Sequence, residues 1–172
     1  MNEVIKNILE RRSVRKFSDK QISKDDLDLI IKAGLYAPSA MNKQTWQFTV
    51  LTKTEDIQEL AKAIEKELGR EGYDMYKPTV LIIPSNGKDS KFGRDDNACA
   101  LENIFLAASS LGIGSVWINQ LHGICDVPEI RALLDKHGIP NHHVVFGMAA
   151  LGYSAETEPR AIERGLGKVK IV

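Results

Sequence analysis

"RRSVRKF", Arg11–Phe17, sets four cations and a serine within seven residues. The whole chain of 172 residues carries 23 Lys+Arg against 23 Asp+Glu and is formally neutral. Charge gathered at one spot has four physical uses: a targeting signal, a nucleic-acid arm, a helix end or an anion site. The start, "MNEVIKNILERR", holds acidic residues and no continuous apolar run, so it does not read as a secretory leader. Balanced charge removes the electrostatic footprint of a general nucleic-acid binder. The other two uses are compatible, because cations that suit a helix C-terminus also suit a bound phosphate. On composition alone a solvated helix end is the favoured reading of the cluster.

Composition is that of an ordinary globular protein, 43% hydrophobic and 27% charged, and the length fits one domain, 1–172, with its own core. No stretch approaches about 18 apolar residues, so no membrane span is expected. Two cysteines, Cys99 and Cys125, are expected as free thiols in a reducing cytoplasm, with Cys99 in the core.

Outward from the cluster, Val4, Ile5, Ile8 and Leu9 have helical spacing and predict a helix ending at the arginines. Ser23 and the acidic residues after it form a helix start. The helix carries Leu27, Ile30, Ile31 and Leu35 and stops before Pro38. "APSAMNKQTW", Ala37–Trp46, is a small-residue polar loop or short helix. "WQFTVLT" alternates as a strand, "TEDIQELAKAIEKELG" is an amphipathic helix closed by Gly69, and the run around Val80–Ile83 is a buried strand. A polar loop is expected from Asn86 to Asp96. "NACALENIFLAASSLG" is apolar nearly all round and predicts a helix buried in a core or across a subunit interface. A strand at Ile113–Ile118, a helix opened by Pro128 and a last strand, "HHVVFGMAALG", complete a mixed layer of helices and strands.

The chain has no glycine-rich phosphate loop, so side chains must hold any phosphate. Arg11, Arg12 and Arg15 offer guanidinium donors around the Ser13 hydroxyl, while Ser39, Asn42 and Gln44 suit the edge of a heterocycle. The histidines lack metal-ligand spacing and no GxSxG nucleophile elbow occurs, so neither a metal nor a serine nucleophile is expected.

In order and spacing, "RRSVRKF" followed by "APSAMNKQTWQF" resembles the opening of the FMN-dependent nitroreductase family. Its patterns are Arg-Arg-Ser-x-Arg-x-Phe and Ala-Pro-Ser-x-x-Asn-x-Gln-Pro-Trp. The resemblance continues through "ACALENIFLAASSLGIGSVWI" and "GMAALGY", and is weakest between about residues 53 and 92. It implies an α+β fold with a central mixed, mostly antiparallel sheet flanked by helices, in an intertwined homodimer with FMN at the subunit interface. Arg11, Arg12, Ser13 and Arg15 would grip the phosphate and the polar ring edge. Pro38, Ser39, Asn42 and Gln44 would come from the partner subunit. Backbone N–H groups of Ile118, Asn119 and Gln120 would meet the reactive edge, and Arg160 or Arg164 would return from the tail to the phosphate.

The implied activity is NAD(P)H-dependent reduction of nitroaromatic, quinone or related acceptors by turns over one ring, in the cytoplasm. A flavin carrier, sensor or flavin-modifying protein is the alternative. Thr45 stands where the family has proline, so a less rigid loop is expected. "GYSAETEP" lacks the proline that follows Gly-Tyr, and the short middle leaves an open cleft, or one covered by the Asn86–Asp96 loop.

Overall fold

A computed structural model describes residues 1–157, 163–165 and 167–172. Helix α1 (Glu3–Glu10) is capped by the Asn2 side chain, which accepts from Ile5 N, and α2 (Lys24–Leu35) by Ser23, which accepts from Asp26 N. The remaining elements are β1 (Gln47–Leu51), α3 (Thr54–Leu68), β2 (Val80–Gly87), α4 (Gly93–Ser110), β3 (Gly114–Ile118), α5 (Pro128–Lys136), β4 (His143–Val145) and β5 (Met148–Gly152). Helix α3 ends on left-handed Gly69 at φ 60°, the geometry that glycine adopts without a Cβ penalty.

The strands form one sheet in the order β1-β2-β5-β3, with β4 also on β2, and every ladder is antiparallel. The parallel element is a single bridge, Ser13 to Ser115. Strand β2 is buried on both faces, which is why it reads as an unbroken apolar run rather than an alternation. Leu81 and Ile83 pack with Leu60, Ile64, Ile130 and Leu134 beneath α3 and α5. Val80 and Ile82 pack with Ile30, Leu101, Ile104 and Phe105 beneath α2 and α4.

The expected last strand is two strands. Strand β2 pairs β5 through Val80–Ile82 and β4 through Ser85–Gly87, so Pro84 sits where the partner changes and no N–H is demanded of it. The break falls at Phe146 and Gly147. A Cβ on Gly147 would lie 2.5 Å from the Trp117 ring, so this turn requires glycine to let the indole lie flat.

Two further expectations are corrected. The loop from Asn86 to Asp96 shrinks to residues 88–92, because β2 runs on to Gly87 and α4 starts at Gly93. Cys99 is exposed, while Cys125 is buried, and both are free thiols. Helix α4 buries Ala100, Leu101, Ile104, Phe105 and Ala108, but its opposite face, with Cys99 and Glu102, has no cover within one chain. Apolar all round is therefore not buried all round here. Helix α1 likewise buries no residue, leaving Val4, Ile5, Ile8 and Leu9 exposed. No helix among the described residues is long and apolar enough to cross a membrane.

Candidate functional site

Past Glu10 the backbone turns extended at Arg11 (φ −54°, ψ 137°) and runs as an arm onto the sheet. Val14 N donates to Ser115 O at 2.9 Å, and Phe17 bridges Ser154. The approach is close enough that a Cβ on Gly114 would lie 2.9 Å from Val14 Cβ, and one on Gly152 would lie 3.0 Å from the Phe17 ring. Burial of Val14 alternates with partial or full exposure of Ser13 and Arg15.

The arginines have separate local roles. Arg11 Nε is buried without a hydrogen-bond partner, its nearest acid being Glu102 Oε1 at 3.8 Å. Arg12 Nη1 donates to Glu156 Oε2 at 2.6 Å, and the backbone N–H of Arg15 donates to Glu156 Oε1 at 2.9 Å. Those donors, Arg15 N–H first and Arg12 second, hold the Glu156 carboxyl below the usual carboxylate range. The Arg15 guanidinium is exposed and has no ion-pair partner among the described residues. The Arg164 guanidinium donates to the Arg11 carbonyl, bringing the tail to the cluster, whereas Arg160 lies outside the described residues. A cavity of about 200 Å³ opens here, lined by Arg11, Arg12, Ser109, Ser115 and Ser154 among others.

The second group sits on the loop before β1. Buried Trp46 packs with Ala37 and Ala100 of α4, anchoring the loop's end. Ala40 N donates to Asp96 Oδ1 at 2.8 Å, Gln44 N to Ser39 Oγ at 3.1 Å, and Gln44 Nε2 to Asn42 Oδ1 at 2.8 Å. Met41 and Asn42, both at φ 53°, and Gln44, at φ 48°, are left-handed, a conformation that Asn tolerates best. Pro38, Asn42 and Gln44 are exposed and Ser39 is half-buried. Thr45 Oγ1 donates to Asn86 Oδ1 at 3.0 Å, a side-chain tether that ties this loop to β2. A cavity of about 600 Å³ lies between this loop and residues 88–92, bordered by Met41, Lys43, Asn86, Lys91 and Phe92.

The third group is the end of β3. Ile118 is buried, and Trp117 Nε1 donates to Asn119 Oδ1 at 3.3 Å. Asn119 N donates at 3.0 Å to Gln120 Oε1, which also accepts from Tyr73 Oη at 3.0 Å. The Asn119 N–H is thus satisfied within the chain. Tyr73 and Glu156 escape sequence reasoning: neither belongs to a periodic pattern, and each matters through a long-range partner.

Within one chain the arm and the tail meet the start of β3, at Gly114 and Ser115, whereas Ile118–Gln120 lie at the far end of that strand and the loop does not join them. Ala40 hangs on Asp96 in the first turn of α4, whereas the arginine cavity includes Ser109 in its last. At 1.5 Å per residue these points are about 20 Å apart along the helix. A phosphate fits the first group: a buried guanidinium nitrogen lacks an acceptor there, with the Ser13 hydroxyl and the Arg15 cation nearby in the chain.

Elsewhere, ligand atoms of Asp56, Glu59 and His137 lie within 4.8 Å of one another, but Lys136 Nζ already pairs with both carboxylates, at 3.8 and 2.5 Å. Buried His143 bonds to Ser85 Oγ at 3.0 Å, and burial holds its pKa below the usual histidine value.

The model of the nitroreductase family matches residues 8–80 and 70–153. An Archaeoglobus fulgidus protein provisionally named NADH dehydrogenase/NAD(P)H nitroreductase is 38% identical over 161 residues, covering 89% of this chain and 86% of its own. The Bacillus subtilis FMN reductase [NAD(P)H] is 31% identical over 173 residues, covering 87% and 67%. A Bacteroides fragilis nitroreductase, solved with bound FMN, superposes with a TM-score of 0.91 at 42% identity, covering 99% of this chain and all of the other.

Proposed function

The chain belongs to the nitroreductase family, and from that premise we propose an FMN-dependent oxidoreductase in which NAD(P)H and an electron-poor acceptor take turns at one cleft. Nitroaromatics and quinones are the acceptor class. When bound, FMN supplies the two-electron chemistry; the protein binds it, orients it and tunes its charge. The whole chain, 1–172, acts as one FMN-binding domain, in the cytoplasm.

The buried Nε of Arg11, which has no hydrogen-bond partner and only a long ion pair to Glu102, carries this proposal. With Arg15, Ser13, the remaining donors of Arg12 and a tail arginine, Arg164 or Arg160, it would meet the phosphate. Such guanidiniums also favour the negative charge that a flavin gains on its polar edge. Pro38, Ser39, Asn42 and Gln44 of a second copy would complete the cleft, opposite Ile118, Asn119 and Gln120. Two features support the homodimer. The loop and the arm occupy opposite ends of α4, so a two-fold partner with its α4 antiparallel would bring one's loop to the other's arm. The exposed apolar stripe of α1 and the open face of α4 then gain a cover.

Purified protein should be yellow and release FMN, identified by mass after denaturation, and should oxidise NADH or NADPH with menadione. Colourless protein that gains no flavin absorbance on adding FMN would contradict the proposal. Bound FMN that neither nicotinamide reduces would point to a flavin carrier or sensor instead.

A further inference from the structure

The connection from α3 to β2 is where resemblance to the family is weakest, yet it makes a direct contact with the end of β3. It is firmly held. Gly72 N donates to Glu65 Oε1 at 2.5 Å, Tyr73 N to Arg70 O at 3.2 Å and Gln58 Nε2 to Asp74 O at 3.3 Å. Met75, fully buried, plugs it into the core. Met75, Tyr76 and Lys77 are consecutive left-handed residues, at φ 54°, 67° and 50°, a costly backbone that persists only where its surroundings enforce it. From this rigid turn Tyr73, partly buried against the core, reaches Gln120.

The two hydrogen bonds at Gln120 fix which way its carboxamide faces. A backbone N–H can only donate, so the atom meeting Asn119 N must be the amide oxygen. The Tyr73 hydroxyl is then the donor to that same oxygen. Burial raises the Tyr73 pKa above the ordinary phenol value, so the hydroxyl keeps its proton at any working pH. With its oxygen doubly engaged, Gln120 has an NH2 group with no protein partner among the described residues.

We propose that Tyr73 is a positioning residue: together with the Asn119 N–H it locks the Gln120 carboxamide so that its NH2, not its oxygen, is offered to the acceptor-bearing edge of the bound flavin ring. This rests on the FMN site proposed above. Tyr73 makes no claim on the ligand itself. The Asn119 N–H sets which end of the carboxamide turns inward, and the Tyr73 hydroxyl holds it there, so that residue 120 presents a donor and the site favours the electron-rich form of the ring.

The test is a double-mutant cycle on the full-length protein, reading FMN affinity by flavin fluorescence and the midpoint potential of the bound flavin. Tyr73→Phe should weaken FMN binding about fivefold, the worth of one hydrogen bond, and lower the potential. In a Gln120→Ala background the same change should alter neither quantity. Gln120→Glu, which keeps an acceptor for Tyr73 and loses the NH2, should weaken binding more than Tyr73→Phe. In the FMN-free protein, the Gln120 side-chain NH2 resonances should shift in Tyr73→Phe. An equal loss in both backgrounds would reduce Tyr73 to a packing residue and overturn the proposal, as would unchanged affinity and potential in Tyr73→Phe. Failure of the wild-type protein to bind FMN would instead overturn the site on which it rests.

Discussion

Replacing Glu156 by Gln removes the charge that ties the arginine arm to the tail while keeping the shape of the side chain. In the native fold this carboxylate accepts from Arg12 Nη1 at 2.6 Å and from Arg15 N at 2.9 Å. The side chains of the ion pair are 23% and 19% exposed, so solvent screens it only in part. Hydrogen bonds to a charged group contribute about 1.5–3 kcal/mol each; a neutral amide retains some of that, and partial exposure reduces the rest. The expected loss is about 1.5 kcal/mol, or about 3–6 °C in Tm for a chain of this size. The pH dependence has a definite sign. Because the folded pKa of Glu156 lies below its ordinary value, the unfolded chain takes up the proton first. The stabilisation is therefore complete above the unfolded pKa of about 4.3 and is lost as pH falls through the folded value. Thermal unfolding followed by circular dichroism should show the variant less stable than wild type at neutral pH, with the gap closing in acid. FMN affinity should move the other way, several-fold tighter, because Arg12 is released toward the phosphate. Equal stability at neutral pH, or a gap that persists below the carboxylate range, would refute the role assigned to Glu156.

Gly114→Ala would place a Cβ 2.9 Å from Val14 Cβ and 3.0 Å from Gly152 O; overpacking of about 1–3 kcal/mol and weaker FMN binding should appear together in unfolding and titration curves, because the arm is displaced. Thr45→Val deletes the tether to Asn86 and should cost about 1 kcal/mol in chemical denaturation, with faster hydrogen exchange over residues 40–45. Cys125 is buried, its thiol pKa raised chiefly by burial, so it should resist a thiol reagent in the native protein and react fully once unfolded.

The elements were legible wherever one face of a helix or strand had to be buried, since period and capping residues express that need directly. Ser23 capped its helix as read, and Gly69 closed α3. The break at Phe146 and Gly147 was not legible, because its cause is the Trp117 ring lying on Gly147 from another strand. Strand β2 ran past its apolar stretch because Ser85, Asn86 and Gly87 pair with β4, a partner no local pattern announces. Cys99 was misplaced for a related reason: composition reports how apolar a helix is, not which chain covers it. At the site, the arginine arm and the Ala37–Trp46 loop carried recognisable order and spacing. Glu156 and Tyr73 carried none, since each acts through a partner more than forty residues away.

The central claim is that one FMN is held between the arm of one copy and the loop of another. Arg11→Ala/Arg15→Ala protein and Asn42→Ala/Gln44→Ala protein should each bind FMN poorly when pure. Unfolded together and refolded as an equal mixture, they should form mixed dimers in which one site carries all four changes and the other none. Titration should then recover about one tight FMN site per four protomers, as random two-fold pairing requires. No recovery in the mixture, with both variants properly folded, would contradict a site shared between two copies.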